Sequence, residues 1–286
     1  MLLFGSTLVN AQSASDYYKR AVAKFKAKDY SGCIVEYTRA IAVDSSSEIL
    51  YNNRGVAKAK LTYYSDAIDD YDIAVKLNPK FHMAFFNRAN AHKELAEYAE
   101  ALVDYDKAIE LKENFKSALL NRGKVRFIMK DYQGSVTDYT KVLELKPNYL
   151  KALNNRAAAY MMLDRYEEAI EDLDAAIAQK PDYYKAYINR GVCYMELNDS
   201  KAAIANFNVA IKKNPQNGEG YYYRGLAHIG SVKAIHASSG NSKNALVVNK
   251  NMHTMDSACE DFKKAREFRY SKAVEAIETY CADRGR

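Results

Sequence analysis

Seven arginines stand in one register: Arg20, Arg54, Arg88, Arg122, Arg156, Arg190 and Arg224, each 34 residues after the last. A second register of the same period carries acids. It reads Glu36, Asp70, Asp104, Asp138 and Asp172, then Asn206, with Asp261 displaced by an insertion. A guanidinium presents a planar fork that matches a carboxylate, so these residue types offer structural ion pairing through two parallel hydrogen bonds. A third register holds primary amides, Asn53, Asn87, Asn121, Asn155 and Asn189. Each amide has a donor and an acceptor, the two groups that a peptide unit also presents. Bond-breaking chemistry has no comparable pattern: the sequence shows no Gly-rich phosphate loop, nucleophile elbow or acid pair, so no enzyme is read here. The five histidines, His82, His92, His228, His236 and His253, lack carboxylates or cysteines at ligand spacing, which gives no metal site and no cofactor. Cys33 and Cys193 fall at interior places. Cys259 and Cys281 lie eleven residues either side of Tyr270, an expected bend between antiparallel helices. In an exported chain a disulfide there would pin the C-terminal cap, unless helix geometry points the two sulfurs apart.

Side chains in registers of 34 require a repeated element to position them. All four prolines, Pro79, Pro147, Pro181 and Pro215, are separated by multiples of 34 and follow apolar-periodic segments, where each stops a helix. Units counted from Ala14 run 14–47, 48–81, 82–115, 116–149, 150–183 and 184–217 without an inserted or deleted residue. Within the unit, place 8 is always small (Ala21, Gly55, Ala89, Gly123, Ala157, Gly191, Gly225) and place 20 is small as well. Place 27 is alanine or valine, while places 4 and 24 are bulky, with Tyr37, Tyr71, Tyr105 and Tyr139 at place 24. Small places let two helices approach and bulky ones fill the gaps, so each unit reads as two packed amphipathic helices, A and B. The arginines are place 7, the acids place 23 and the amides place 6.

This pattern resembles the tetratricopeptide repeat, a 34-residue helix–turn–helix, with Tyr or Phe standing where that repeat has Trp. The resemblance implies an all-α fold, an α-solenoid built as a right-handed superhelix. Seven repeats are expected over 14–269, the last (218–269) broken by a Ser/Asn/Lys-rich loop at about 232–254, and residues 270–286 would form a capping helix. It also implies that places 2, 5, 6, 9, 12 and 13 of helix A line a concave groove. The five asparagines would then form a row similar to the asparagine ladder of O-linked N-acetylglucosamine transferases, gripping an extended peptide by its backbone. Phe86, Leu120, Phe127, Met161 and Ile188 are the expected side-chain contacts; the competing reading makes them inter-unit core. The carboxylate clamp of some relatives is excluded, because place 5 has no lysine and place 6 no arginine.

The chain's 286 residues have 42 basic and 36 acidic side chains spread throughout, a mixed surface that argues against nucleic acid as a partner. No apolar run is long enough to span a bilayer. Residues 1–11 read as a signal peptide, with an apolar Leu2–Val9 stretch before Val9-Asn10-Ala11 but without the usual basic start. The location expected is periplasmic or extracellular; a plain tail on a cytoplasmic chain is the alternative. The function expected is a non-catalytic scaffold for a protein or peptide partner. Its alternative is a structural subunit of an envelope-associated assembly that uses the convex face or the insertion.

Overall fold

The structure, a computed structural model, describes residues 13–239 and 245–282, side chains of 233–251 excepted; the expected leader at 1–11 lies outside the described residues. Among the described residues there are only helices, and they form two compact units that divide between residues 131 and 132. The first unit contains α1 (Ala14–Lys26), α2 (Tyr30–Val43), α3 (Glu48–Lys60), α4 (Tyr64–Leu77), α5 (His82–Glu94), α6 (Tyr98–Leu111) and α7 (Lys116–Ile128). The second contains α8 (Tyr132–Leu145), α9 (Leu150–Met161), α10 (Tyr166–Gln179), α11 (Tyr184–Glu196) and α12 (Ser200–Lys213). It continues with α13 (Gly218–Ser239), α14 (Ala245–Glu267) and α15 (Lys272–Cys281). Odd-numbered helices up to α13 begin at 34-residue steps, as do the even-numbered ones up to α12, so the sequence comb is a comb of helix starts.

A left-handed residue at place 15 ends each of the first six A helices. Lys28, Thr62, Ala96, Lys130, Asp164 and Asn198 have φ between 56° and 65°. The next N–H then folds back to the carbonyl five residues earlier, as in Tyr63 to Lys58 at 3.1 Å and Asp199 to Tyr194 at 2.8 Å. This closure satisfies a helix-end carbonyl and turns the chain into helix B.

Packing follows the small and bulky places. In the first unit Ala21, Ala67, Ala89 and Ala101 are fully buried, and the rings of Tyr71 and Tyr105 are buried beside them. A Cβ added at Gly55 would come within 2.6 Å of the Tyr71 ring, so glycine there sets how closely α3 approaches α4. In the second unit the Leu173, Phe207 and Phe262 side chains fill the same position against Ala157, Gly191 and Gly225. From the third repeat on place 3 is small as well: Ala84, Ala118, Ala152 and Ala186 are fully buried. Ala84 packs on Tyr51 and Ala74 of the repeat before it, so place 3 closes the joint between neighbouring hairpins.

The insertion is not a loop over most of its length, contrary to the sequence expectation. α13 continues to Ser239 and α14 starts at Ala245, lengthening both helices of the seventh hairpin. The physical reason is composition: Lys233, Ala234, His236 and Ala237 carry helix A past place 15, and no breaker arrives before Ser238-Ser239-Gly240. After α14, Arg269 adopts φ 60° and α15 folds back. A disulfide joins Cys259 of α14 to Cys281 of α15 inside a cluster with Ile229, Phe262 and Ala276.

Candidate functional site

Each arginine sits midway along helix A, and five of them lie over the place-4 ring, as Arg54 on Tyr51 at 5.6 Å and Arg190 on Tyr187 at 5.4 Å, while Arg156 lies over Tyr160 at 5.7 Å. Its fork reaches helix B of its own hairpin. Arg88 Nε and Nη2 donate to the two oxygens of Asp104 at 2.8 and 2.6 Å. Arg54–Asp70, Arg156–Asp172 and Arg224–Asp261 repeat the geometry. Arg20 pairs with Glu36 at 2.9 Å, and Arg190 meets the neutral Asn206 at 2.8 Å. Asp138 is buried in α8.

The remaining nitrogen, Nη1, points elsewhere. It donates to place 25 of the preceding repeat: Arg54 to Thr38, Arg88 to Asp72, Arg122 to Asp106, Arg156 to Thr140, Arg190 to Asp174 and Arg224 to Asn208. One guanidinium therefore fastens three helices. Bonds to Asp104 hold the pKa of Arg88 above its already high ordinary value. These side chains are engaged in the scaffold.

The place-6 amides are all half-buried, but they divide into two kinds. In the first unit they are fastened to one another. Asn87 Nδ2 donates to Asn52 Oδ1 at 2.9 Å, and Asn52 Nδ2 donates to Asn53 Oδ1 at 3.0 Å. Asn53 also bonds the Tyr37 hydroxyl, whose pKa is raised by burial. Asn121 Nδ2 donates to Asn90 Oδ1 at 2.8 Å, and the same oxygen accepts from the Tyr105 hydroxyl at 2.7 Å. Amides at places 5 and 9 lie within reach of place 6 on the next hairpin, so the row closes on itself. Asn53, Asn87 and Asn121, expected to contact a peptide, thus each give part of their hydrogen-bonding capacity to the scaffold.

The second unit differs. Asn155 is held by the Tyr139 hydroxyl, a phenol that burial pushes up to about 12. Asn154, which corresponds to Asn52, has its Oδ1 buried without a hydrogen-bond partner. Asn189 corresponds to Asn87, yet the bond between them has no counterpart here. An acceptor out of water without a donor costs about 1–3 kcal/mol. α9 and α11, which carry the two residues, are in contact.

The apolar contacts expected from sequence are redistributed. Leu120 and Ile188 are 8% and 2% exposed, Phe86 packs at a tilt on Phe115 at 4.8 Å, and Phe86 and Ile188 belong to clusters that reach the next hairpin. Place 5 turns toward the neighbouring helix A, and an apolar side chain there is drawn into that seam. Phe127 and Met161 stay half-buried. The first unit also has an apolar pocket lined by Val22, Phe25, Lys26, Tyr37, Asn53 and Val56. Its place-9 valines were not singled out in the sequence because valine on a helix reads as ordinary core. The free thiols Cys33 and Cys193 are buried, with pKa values pushed by burial up to about 11 and about 12, which keeps them protonated and inert.

The helix starts, the place-15 turn and the shared joints describe a known unit. Family models described as "Tetratricopeptide repeat" match residues 82–115, 120–184 and 154–218. The chain carries tetratricopeptide repeats. A tetratricopeptide repeat protein from Parabacteroides merdae is similar at 20% identity and TM-score 0.62, covering 94% of this chain and 98% of that one. The C-terminal part of a TPR repeat-containing protein from Cytophaga hutchinsonii is similar at 16% identity and TM-score 0.66, over 91% and 99% of the two chains. YrrB, a TPR protein with an unusual peptide-binding site, is similar at 21% identity and TM-score 0.60, over 64% of this chain and 95% of its own. At these identities the likeness concerns the fold. A comparison with curated proteins gives no match. Tetratricopeptide repeats generally mediate protein–protein contact and are generally non-catalytic. Among the described residues no helix is long and apolar enough to cross a membrane.

Proposed function

We propose that the chain is a non-catalytic scaffold that binds an extended segment of a partner protein on its A-helix face, with Asn154 and Asn189 gripping the segment's backbone. The observation that carries this reading is Asn189, whose half-buried amide makes no hydrogen bond to another described residue, whereas the equivalent Asn87 donates to Asn52. An extended chain laid over α9 and α11 would donate a backbone N–H to Asn189 Oδ1 and accept from the Asn154 and Asn189 amide N–H groups. Asn155, held at one edge by Tyr139, keeps one further N–H for the segment. The similar fold of YrrB, a protein with a peptide-binding site, is in keeping with this. Protein rather than nucleic acid is the partner proposed, because the surface charge is mixed. The Cys259–Cys281 bond supports an oxidising location, periplasmic or extracellular, since such bonds are rare in reducing compartments.

Affinity capture from native extract tests the reading. The Asn154→Ala/Asn189→Ala double variant should keep the wild-type Tm and lose partners that the Asn53→Ala variant retains. Retention of every partner by the double variant would remove the basis for a groove grip.

A further inference from the structure

Independently of that reading, we infer that the apolar pocket of the first unit is a second docking site. Its occupant is an apolar side chain from a partner-protein segment that carries neighbouring acidic residues. Val22, Phe25 and Lys26 of α1 face Asn53 and Val56 of α3 across this pocket, and Tyr37 of α2 completes the wall. Its volume is 260 Å³. That lies below the roughly 300–1,000 Å³ of sites for drug-sized molecules, and suits a side chain rather than a cofactor. The wall is held in place before anything binds. The Phe25 ring meets Tyr30 edge-on at 5.3 Å, and the buried Tyr37 has its hydroxyl bonded to Asn53. Val22, Phe25 and Val56 are only half-buried, so an apolar occupant removes their remaining surface from water.

Charge at the rim decides the rest of the occupant. Lys26 lines the pocket, and Lys60 follows Val56 by one helical turn on the same face of α3. Both lysines are exposed, and neither has an ion-pair or hydrogen-bond partner among the described residues. Other lysines of these helices serve the scaffold: Lys24 pairs with Asp29 at 2.7 Å and Lys58 with Asp70 at 2.9 Å. Asp29, the acid nearest to Lys26 in sequence, also accepts from the Gly32 N–H at 2.8 Å. No acid stands one turn before or after either valine. An apolar cavity with unbalanced positive charge at its rim complements an apolar side chain with carboxylates beside it. The third repeat ends the patch. Asn90 and Glu94 stand there in place of the valine and the lysine, and Glu94 holds Lys93 at 2.7 Å. Exposed lysines add little affinity singly, so the cavity anchors the segment and the lysines discriminate among candidates.

Phage-displayed random dodecapeptides selected on the full chain, with the Lys26→Glu/Lys60→Glu variant used for counter-selection, give the test. Enriched peptides should combine Asp or Glu with Leu, Ile, Val, Met or Phe. The best of them, labelled with fluorescein, should bind the charge-reversed variant about tenfold more weakly by polarisation, with the gap closing at high salt. Both substitutions fall on exposed side chains, so that variant should keep the wild-type Tm. The peptide should shift the methyl NMR signals of Val22 and Val56, and should bind the Asn154→Ala/Asn189→Ala variant as tightly as wild type. Valine signals that stay still, or binding lost in the asparagine variant, would overturn the assignment to this pocket. Enrichment of peptides without an acid, equal affinity after charge reversal, or no enrichment over the counter-selecting variant would overturn it too. Uptake of decanoate where no peptide is enriched would assign the pocket to a fatty acid instead. A peptide-free dimer that the charge reversal dissociates would assign it to a second copy of the chain.

Discussion

Arg88 holds Asp104 by two hydrogen bonds and Asp72 by a third, so deleting its side chain strands a carboxylate that is 3% exposed. Arg88→Ala should lower unfolding free energy by ~3–5 kcal/mol in a denaturant titration, because the buried acid keeps its desolvation without its partner. Pairing Arg88→Met with Asp104→Leu should recover most of that loss, since the double change removes both charges together. A single variant that loses less than ~1 kcal/mol would mean the pair is solvated in solution. The place-7 and place-23 registers were readable because charge at a buried phase stands out. Place 25 was not, because Thr38, Thr140 and Asn208 alternate there with Asp72, Asp106 and Asp174 and resemble ordinary surface residues. Only the third arm of the guanidinium gives that position meaning.

At the scale of elements, the helix boundaries could be read from the sequence because small residues, prolines and bulky fillers keep one period. The turn between helices A and B was hidden: place 15 reads Lys, Thr, Ala, Lys, Asp and Asn, with no glycine to announce a left-handed residue. Thr62 at φ 65° is the least comfortable of them, being β-branched. Thr62→Gly should therefore raise stability by about 1 kcal/mol in a denaturant titration, despite glycine's larger unfolded-state entropy. A loss of stability instead would show that the threonine is not strained there. The insertion was misjudged for the opposite reason. Its Ser and Asn content suggested a loop, while helix formers on either side of 240–244 extend α13 and α14. Crosslinking α14 to α15 should matter as well: Cys259→Ser/Cys281→Ser closes no 22-residue loop in the unfolded chain and should lose about 3 kcal/mol, read as a lower Tm. An unchanged Tm would mean that α15 holds its place by packing alone.

Over the whole molecule, the same place of the repeat is bonded differently in the two units. Five asparagines at one place looked equivalent in the sequence, and their neighbours decide otherwise. Asn52 bonds Asn53 and Asn87, and Asn90 bonds Asn121 and Tyr105, in two separate groups. Asn154 Oδ1, by contrast, is buried without a hydrogen-bond partner. The fold is thus written in the period, whereas the division between scaffold amides and open amides depends on side-chain geometry that no single position encodes. The measurement closest to this division compares the unfolding free energies of Asn87→Ala and Asn154→Ala. Asn87→Ala should lose about 1–3 kcal/mol by stranding the Asn52 carbonyl, and Asn154→Ala should be neutral or slightly stabilising because it removes an unpaired buried acceptor. Equal losses in the two variants would contradict the account, for then Asn154 would be as firmly bound into the scaffold as Asn52.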